Sequence, residues 1–529
     1  MTAAPTWLTA TPPTPNGDLH LGHLAGPYLA VDVLRRFLAA EGTPVRMTTG
    51  LDDHQSYVPV RGLLSERTGA QVADGYGERI RAAWTAAGID FDTVVLPREQ
   101  PGYTDFVQRF FAELHRQGAI VPRTRPLPYC EPCGRWLYEA YLVGSCPHCG
   151  ESSNGNACEP CGRPNECGDL GDPHCVVCGS AAVPREQTRL FLPLAPFAER
   201  LAAFWAEVDM PPHLRALCET MAAAGLPEIA VSHPGDWGVP VPVPGFTDQR
   251  IYVWFEMAPG YLLEYDPAGE RPQRGPVQFF GFDNGYFHAV LFPSLFMAWD
   301  GQLPLPSAFV VNEFYRLAGK KFSTSRRHAV WALDALAEHD SDTLRYQLLR
   351  DRPNGRQSSF EHGDLEQARR HLDREWNGWL RRLLAAVRQE CDSVAPAEQP
   401  AGPAWELLRG RLERTADELR EAYSVRGFDP RRALDLLDEA VRCVRDFGHV
   451  QAHEPDPAAR RAALAAQLAA ASALAAWAAP VLPAGAERLA ALLSADPGRP
   501  VDAAALTAPA PGTKLFTPDG PVFGAGADV

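Results

Sequence analysis

Apolar residues recur along this chain at two different periods, and the alternation between them sets the outline. Thr6-Trp-Leu-Thr-Ala10 is a short apolar run of strand length. After a Pro-rich turn, Leu24, Tyr28, Val31, Leu34 and Leu38 fall three or four residues apart, which predicts a helix to about Ala40. Pro44–Gly50 is a second strand, ending at Leu51-Asp52-Asp53-His54, and helical patterns follow at about 76–88 and 102–117. Strands alternating with helices predict a parallel sheet, whose ligands bind at the carboxyl ends of the strands.

From Tyr129 to Ser180 the pattern gives way to Cys, Gly and Pro. Helical spacing returns over 195–222, and strand-like runs follow at Arg250–Glu256, Val277–Gly281 and Ala308–Asn312. From Gly363 onward the chain reads as helices, at about 363–391, 402–423, 430–447 and 457–478. The expected fold class is α/β: a split Rossmann-like parallel sheet with an inserted zinc-knuckle module and a C-terminal all-α bundle. The expected division is 1–118 and 186–330 for the two halves of the sheet domain and 119–185 for the insert. A connection over 331–362, a bundle over 363–495 and a tail over 496–529 complete it.

Composition changes this picture little. At 529 residues, with 46% hydrophobic and 22% charged content, several ordinary domains are expected. A net charge of −15 argues against a generic nucleic-acid binder while allowing a local basic patch. No apolar run reaches the ~18 residues of a membrane span, and the first residues lack the basic flank and apolar core of a secretory signal, so a cytoplasmic location is expected. The chain holds only three lysines, and two of them, Lys320 and Lys321, are adjacent. A compact ammonium on a flexible stem suits a moving phosphate contact.

Four CxxC pairs carry the clearest chemistry: Cys130/Cys133, Cys146/Cys149, Cys158/Cys161 and Cys175/Cys178, each followed by Gly. The glycine permits a tight turn whose N–H groups face a thiolate, and two pairs make one tetrahedral four-thiolate site. Eight thiols imply two structural Zn2+. A disulfide framework is the alternative, and it does not suit a cytoplasmic chain. Cys167, Cys218, Cys391 and Cys443 fall outside the pairs.

The loop Thr11–His23 delivers His20, Gly22 and His23 to a helix N-terminus, where exposed N–H groups and the dipole favour phosphates. His20-Leu-Gly-His23 resembles the HIGH signature of the class I aminoacyl-tRNA synthetases. Lys321-Phe-Ser-Thr-Ser325 resembles their KMSKS signature. With the split sheet, the four-pair module and the helical bundle, the chain is similar over almost its whole length to the methionyl-tRNA synthetase family, with its HUP-type core. The resemblance implies that the inner cysteine pairs share one metal and the outer pairs the other. It implies activation of an amino acid by ATP, taken with Mg2+, to an aminoacyl-adenylate and pyrophosphate. His20 and His23 would donate to the phosphates, and Gly22 would let adenine approach the backbone. Lys321, with Lys320, would hold the β- and γ-phosphates. Asn16, Asp283, Ser323 and Ser325 would complete the ATP site, and Asp52 would hold the substrate ammonium.

Trp254, Tyr261 and His288 agree with the family's side-chain pocket, whereas Pro12, Thr14, Met257, Ala258 and Asn284 depart from it. Thr324 replaces the second signature lysine, with Arg326 or Lys320 to compensate. Asn377 and Arg381 match the family's anticodon-reading pair, but no Pro-Trp follows near Gln451–Asp456. A buried amide rejects substrates that leave it unpaired, so the departures point to an adenylate-forming ligase with another amino acid or a small-molecule acceptor in place of tRNA. Two other readings stand beside it: a methionine--tRNA ligase, and a non-catalytic relative. A monomer is expected.

Overall fold

The computed structural model describes residues 4–265, 272–322 and 328–524. At its centre five parallel strands lie in the order Ala308–Asn312, Val277–Gly281, Thr6–Ala10, Val45–Gly50, Thr93–Val95. The order reverses beside the first strand, which opens a crevice at the carboxyl ends. Successive residues of each strand face opposite sides. Leu8, Phe279 and Val310 enter one core, and Trp7, Phe280 and Val311 the other. Both faces are covered, so Thr6–Ala10, Val277–Gly281 and Ala308–Asn312 read as short, mostly apolar runs without strict alternation.

The first core continues without a break into the C-terminal bundle through Trp376, Leu434 and Trp477. Its long helices are Gly378–Cys391, Pro403–Tyr423, Pro430–Gln451 and Pro457–Ala478, followed by Pro483–Leu493. Four of these start on proline, whose fixed φ and missing N–H suit the first helical position. Asp429 and Asp456 cap two of them by accepting from Arg432 and Ala458 N–H groups. Every residue from Ala463 to Ala478 is buried, because alanines let neighbouring helices approach closely. Among the described residues no helix is long and apolar enough to cross a membrane.

Between the halves of the sheet, the antiparallel strands Val121–Cys130 and Val183–Pro193 run out to the cysteine module and back. One expected strand is cut short. Over Arg250–Glu256 only Gln249–Ile251 is extended, and Val253–Tyr265 is a helix. Tyr252-Val-Trp-Phe favours strands in isolation, but this helix is buried on almost every side and so shows no polar stripe. The helix expected at 76–88 is Gly69–Ala86, which begins earlier because Thr68 and Gln71 form a reciprocal capping box.

Candidate active site

The carboxyl ends of the strands converge on a cavity of about 420 Å3. The first strand contributes Pro12, Thr14, Asn16, His20, Gly22 and His23, and the second contributes Asp52. Val277–Gly281 leads to Asp283 and Asn284, Ala308–Asn312 ends on Asn312 and Glu313, and Trp254 closes one side.

The two imidazoles are stacked, their centroids 3.8 Å apart and their planes 19° apart. Phe322 stacks on the other side of His20 at 4.7 Å. His23 accepts the His20 backbone N–H at Nδ1, 3.1 Å away. Burial holds the His23 pKa down to about 4, so at neutral pH the ring is uncharged, with its proton on Nε2. A Cβ on Gly22 would come 3.0 Å from the His20 ring. Backbone bonds from Leu21 to Val330 and from Ala332 to Leu19 tie this loop to the segment beyond the lysine pair.

Asp52 is 4% exposed. Its Oδ2 accepts from Thr14 Oγ1 at 3.0 Å, while its Oδ1 is buried without a partner. Burial raises its pKa well above the usual carboxylate range; the Thr14 hydrogen bond opposes this, and the carboxyls of Glu139, Glu256 and Asp53 add to it. A cation placed against Oδ1 would relieve both the repulsion and the missing partner.

Trp254 stacks on Phe287 at 3.7 Å. Met257, Ala258, Tyr261 and His288 are buried in the aromatic cluster that continues from this pair and do not line the cavity. His288 meets Gln278 through Nδ1 at 3.0 Å, and its Nε2 has no partner. Asn284 does line the cavity, as do Pro12 and Thr14. Lys320 is exposed, in a two-residue strand paired with Tyr315–Leu317, and is not among the lining residues. Lys321 pairs with Arg316 through its backbone. Ser323, Thr324, Ser325 and Arg326 lie outside the described residues.

The eight paired cysteines form two groups, Cys130, Cys133, Cys175 and Cys178, and Cys146, Cys149, Cys158 and Cys161. Within each group the sulfurs lie within 4.8 Å of one another, the closest cross-pair contacts being 3.4–4.0 Å. Four thiolates at ~2.3 Å from a tetrahedral Zn2+ stand ~3.8 Å apart, so both groups fit that ion and leave it no open position. Cys167 is buried and bonds Asn156 Oδ1 instead.

Asn377 is placed differently from an exposed anticodon reader. It is 1% exposed, donates to Phe523 O at 2.7 Å, and accepts from the Val522 and Phe523 N–H groups. It clamps the returning C-terminal segment. Arg381 pairs with Asp373. Gln55, Glu139, Asn156 and Tyr252 line the cavity without having been marked in the sequence. Asn312 could have been found from its place at the end of a predicted strand.

The chain matches the family of tRNA synthetases class I (M) over residues 6–383. The methionine--tRNA ligase of Dehalococcoides mccartyi is 31% identical over 534 residues, 97% of this chain and 95% of that one. That of Thermomicrobium roseum is 31% identical across 91% of this chain and 85% of its own. In fold the chain is similar to Mycobacterium tuberculosis methionyl-tRNA synthetase bound by methionyl-adenylate, with a TM-score of 0.81 at 22% identity, covering 98% of this chain and all of that one.

Proposed function

The chain belongs to the tRNA synthetases class I (M), and from that premise we propose that it activates methionine with ATP and passes the methionyl group to a tRNA. One observation carries the reading: a buried carboxylate with an unpartnered oxygen shares one cavity with a pair of stacked imidazoles at the carboxyl ends of a parallel sheet. Asp52 Oδ1 takes the substrate ammonium. The substrate carboxylate attacks the α-phosphate of ATP, the bond to the β-phosphate breaks, and its electron pair leaves with pyrophosphate. His23 donates from Nε2 to the phosphates, and Lys320 and Lys321 meet the leaving group. ATP is taken with Mg2+, and Asn16, Asp283, Ser323 and Ser325 belong to its site. A ribose hydroxyl of tRNA then attacks the adenylate carbonyl and releases AMP. Such a reaction needs mostly placement and charge stabilisation. Two Zn2+ in the cysteine groups are structural.

Relatives at 31% identity over nearly the whole length favour methionine and tRNA over the altered specificity expected from the pocket. One feature favours a second reading. Asn284 and Thr14 put an amide and a hydroxyl on the cavity wall, which suits a more polar amino acid or a small acceptor. ATP–pyrophosphate exchange across the twenty amino acids, with and without tRNA, separates them. Methionine-dependent exchange plus tRNA charging is the expected result. Exchange with another amino acid overturns it in favour of the second reading, and no exchange at all makes the chain a non-catalytic relative.

A further inference from the structure

Glu139 belongs to the cysteine module, yet its side chain is spent on the sheet domain. It is 6% exposed and adopts a left-handed backbone (φ 47°) that a non-glycine residue holds only when its surroundings impose it. The Ser56 hydroxyl donates to Glu139 Oε2 at 2.8 Å and accepts the Ala140 N–H at 3.2 Å. One hydroxyl therefore fastens both the side chain and the following peptide of the module. Gln55, Tyr252 and Asn156 stand around the same carboxyl and favour its charged form, against a burial that pushes its pKa up to about 7. Asn156 comes from the loop between the inner cysteine pairs and is also left-handed (φ 64°).

Ser56 is not an arbitrary anchor. It ends the turn that presents Asp52: the Gln55 N–H bonds Asp52 O at 3.3 Å, and Gln55 Oε1 accepts the Ser56 N–H at 2.8 Å. The rest of that turn is fixed by the sheet domain, through Asp52 N–H to Pro13 O at 3.0 Å, Trp237 Nε1 to Asp53 O at 3.0 Å and His54 to Glu256 at 2.7 Å. Its last two residues, Gln55 and Ser56, meet the module, both at the Glu139 carboxyl.

We propose that Glu139 is a positioning residue for amino-acid binding: through Ser56 it locks the cysteine module onto the Asp52 turn and so sets where the carboxylate meets the substrate ammonium. The inference rests on the adenylate-forming reading of the cavity. It assigns the module a role in the amino-acid half of the site, separate from the ATP half built by His20 and His23.

The test is ATP–pyrophosphate exchange by the full chain, with the amino acid that supports exchange in the unaltered protein. Glu139→Ala and Ser56→Ala should each raise KM for the amino acid about tenfold or more, with KM for ATP within twofold and zinc content unchanged. The double variant should be no worse than the poorer single one, because both break one link. Glu139→Gln, whose amide oxygen can still accept from Ser56, should recover most of the affinity. An unchanged amino-acid KM, equal rises for both substrates, or additive losses would overturn the proposal. Loss of kcat alone, with both KM values kept, would reduce Glu139 to a folding role and overturn it too. If the unaltered protein gives no exchange, the functional reading itself has failed.

Discussion

Arg345 donates to Asp32 at 2.6 Å, and neither side chain is exposed to water. The same guanidinium reaches Val481 O at 2.9 Å, Pro480 O at 3.1 Å and Ala87 O at 3.2 Å. Asp32 lies on the helix that follows the histidine loop, whereas Pro480 and Val481 form the turn between two bundle helices. One buried side chain thus joins the helix after the histidine loop to the C-terminal bundle. Arg345→Met should destabilise the chain by about 3–5 kcal/mol, since it leaves a buried carboxylate and three carbonyls short of a donor. Arg36, at 2.9 Å, remains as a partial partner for Asp32. Adding Asp32→Leu should recover part of the loss in denaturant unfolding; a single-variant cost below ~1 kcal/mol would contradict this role.

Gly22→Ala should separate activity from stability. Its φ is ordinary, and it sits in the helical turn Leu21–His23, where alanine is favoured over glycine by roughly 0.5–1 kcal/mol. The new methyl would press on a His20 ring already sandwiched between His23 and Phe322. The expected outcome is a melting temperature near the parent's, the helix gain offsetting the tight contact, with pyrophosphate exchange reduced by up to about 10-fold, since a ring that gives by a few tenths of an ångström moves less than the ~1 Å that costs ~100-fold. Unimpaired exchange would show that the ring does not need its present place.

Metal analysis should find two zinc ions per chain, falling to one in Cys158→Ala. The inner thiolates hold the loop that carries Asn156 to the cavity wall. Metal loss there should therefore raise the amino-acid KM before it lowers global stability. A zinc content of two in the variant would mean that Cys158 is not a ligand.

Parts of this architecture were legible because a local pattern reports them. Thr6–Ala10, Val277–Gly281 and Ala308–Asn312 stand as strands where their apolar runs predicted them, and the CxxC spacing marked both thiolate groups. Val253–Glu256, expected as strand, is helical for the opposite reason, since a helix buried on nearly every side erases its own period. Glu139 carried no signal at all. It meets Ser56 across 83 positions, a contact only the folded insert creates. Asn377 gave a false one, because its spacing to Arg381 fits a surface pair whereas its amide is wholly engaged by the returning C-terminal segment.

Glu264 offers a pH test away from the cavity lining. Its carboxyl is buried between two strands, with Oε2 accepting from Thr9 at 3.2 Å and Thr48 at 3.3 Å. Burial outweighs those two hydrogen bonds and raises the pKa from 4.5 to about 8. Below pH 4.5 both folded and unfolded chains hold the proton, and the group costs nothing. Between pH 4.5 and 8 the unfolded chain releases it while the folded chain keeps it, so stability falls as pH rises and levels off above 8. The loss at this one site is on the order of a few kcal/mol. Asp53, Asp342 and Glu139, also raised by burial, add slopes of the same sign, so the single protein does not isolate the effect. Comparison with Glu264→Gln does. The amide keeps the shape, and the two threonine hydroxyls can donate to it or accept from it. The variant should match its parent near pH 4.5 and exceed it by a growing margin up to pH 8 in denaturant unfolding. Parallel stability curves for the two proteins would show that Glu264 is ionised in the fold.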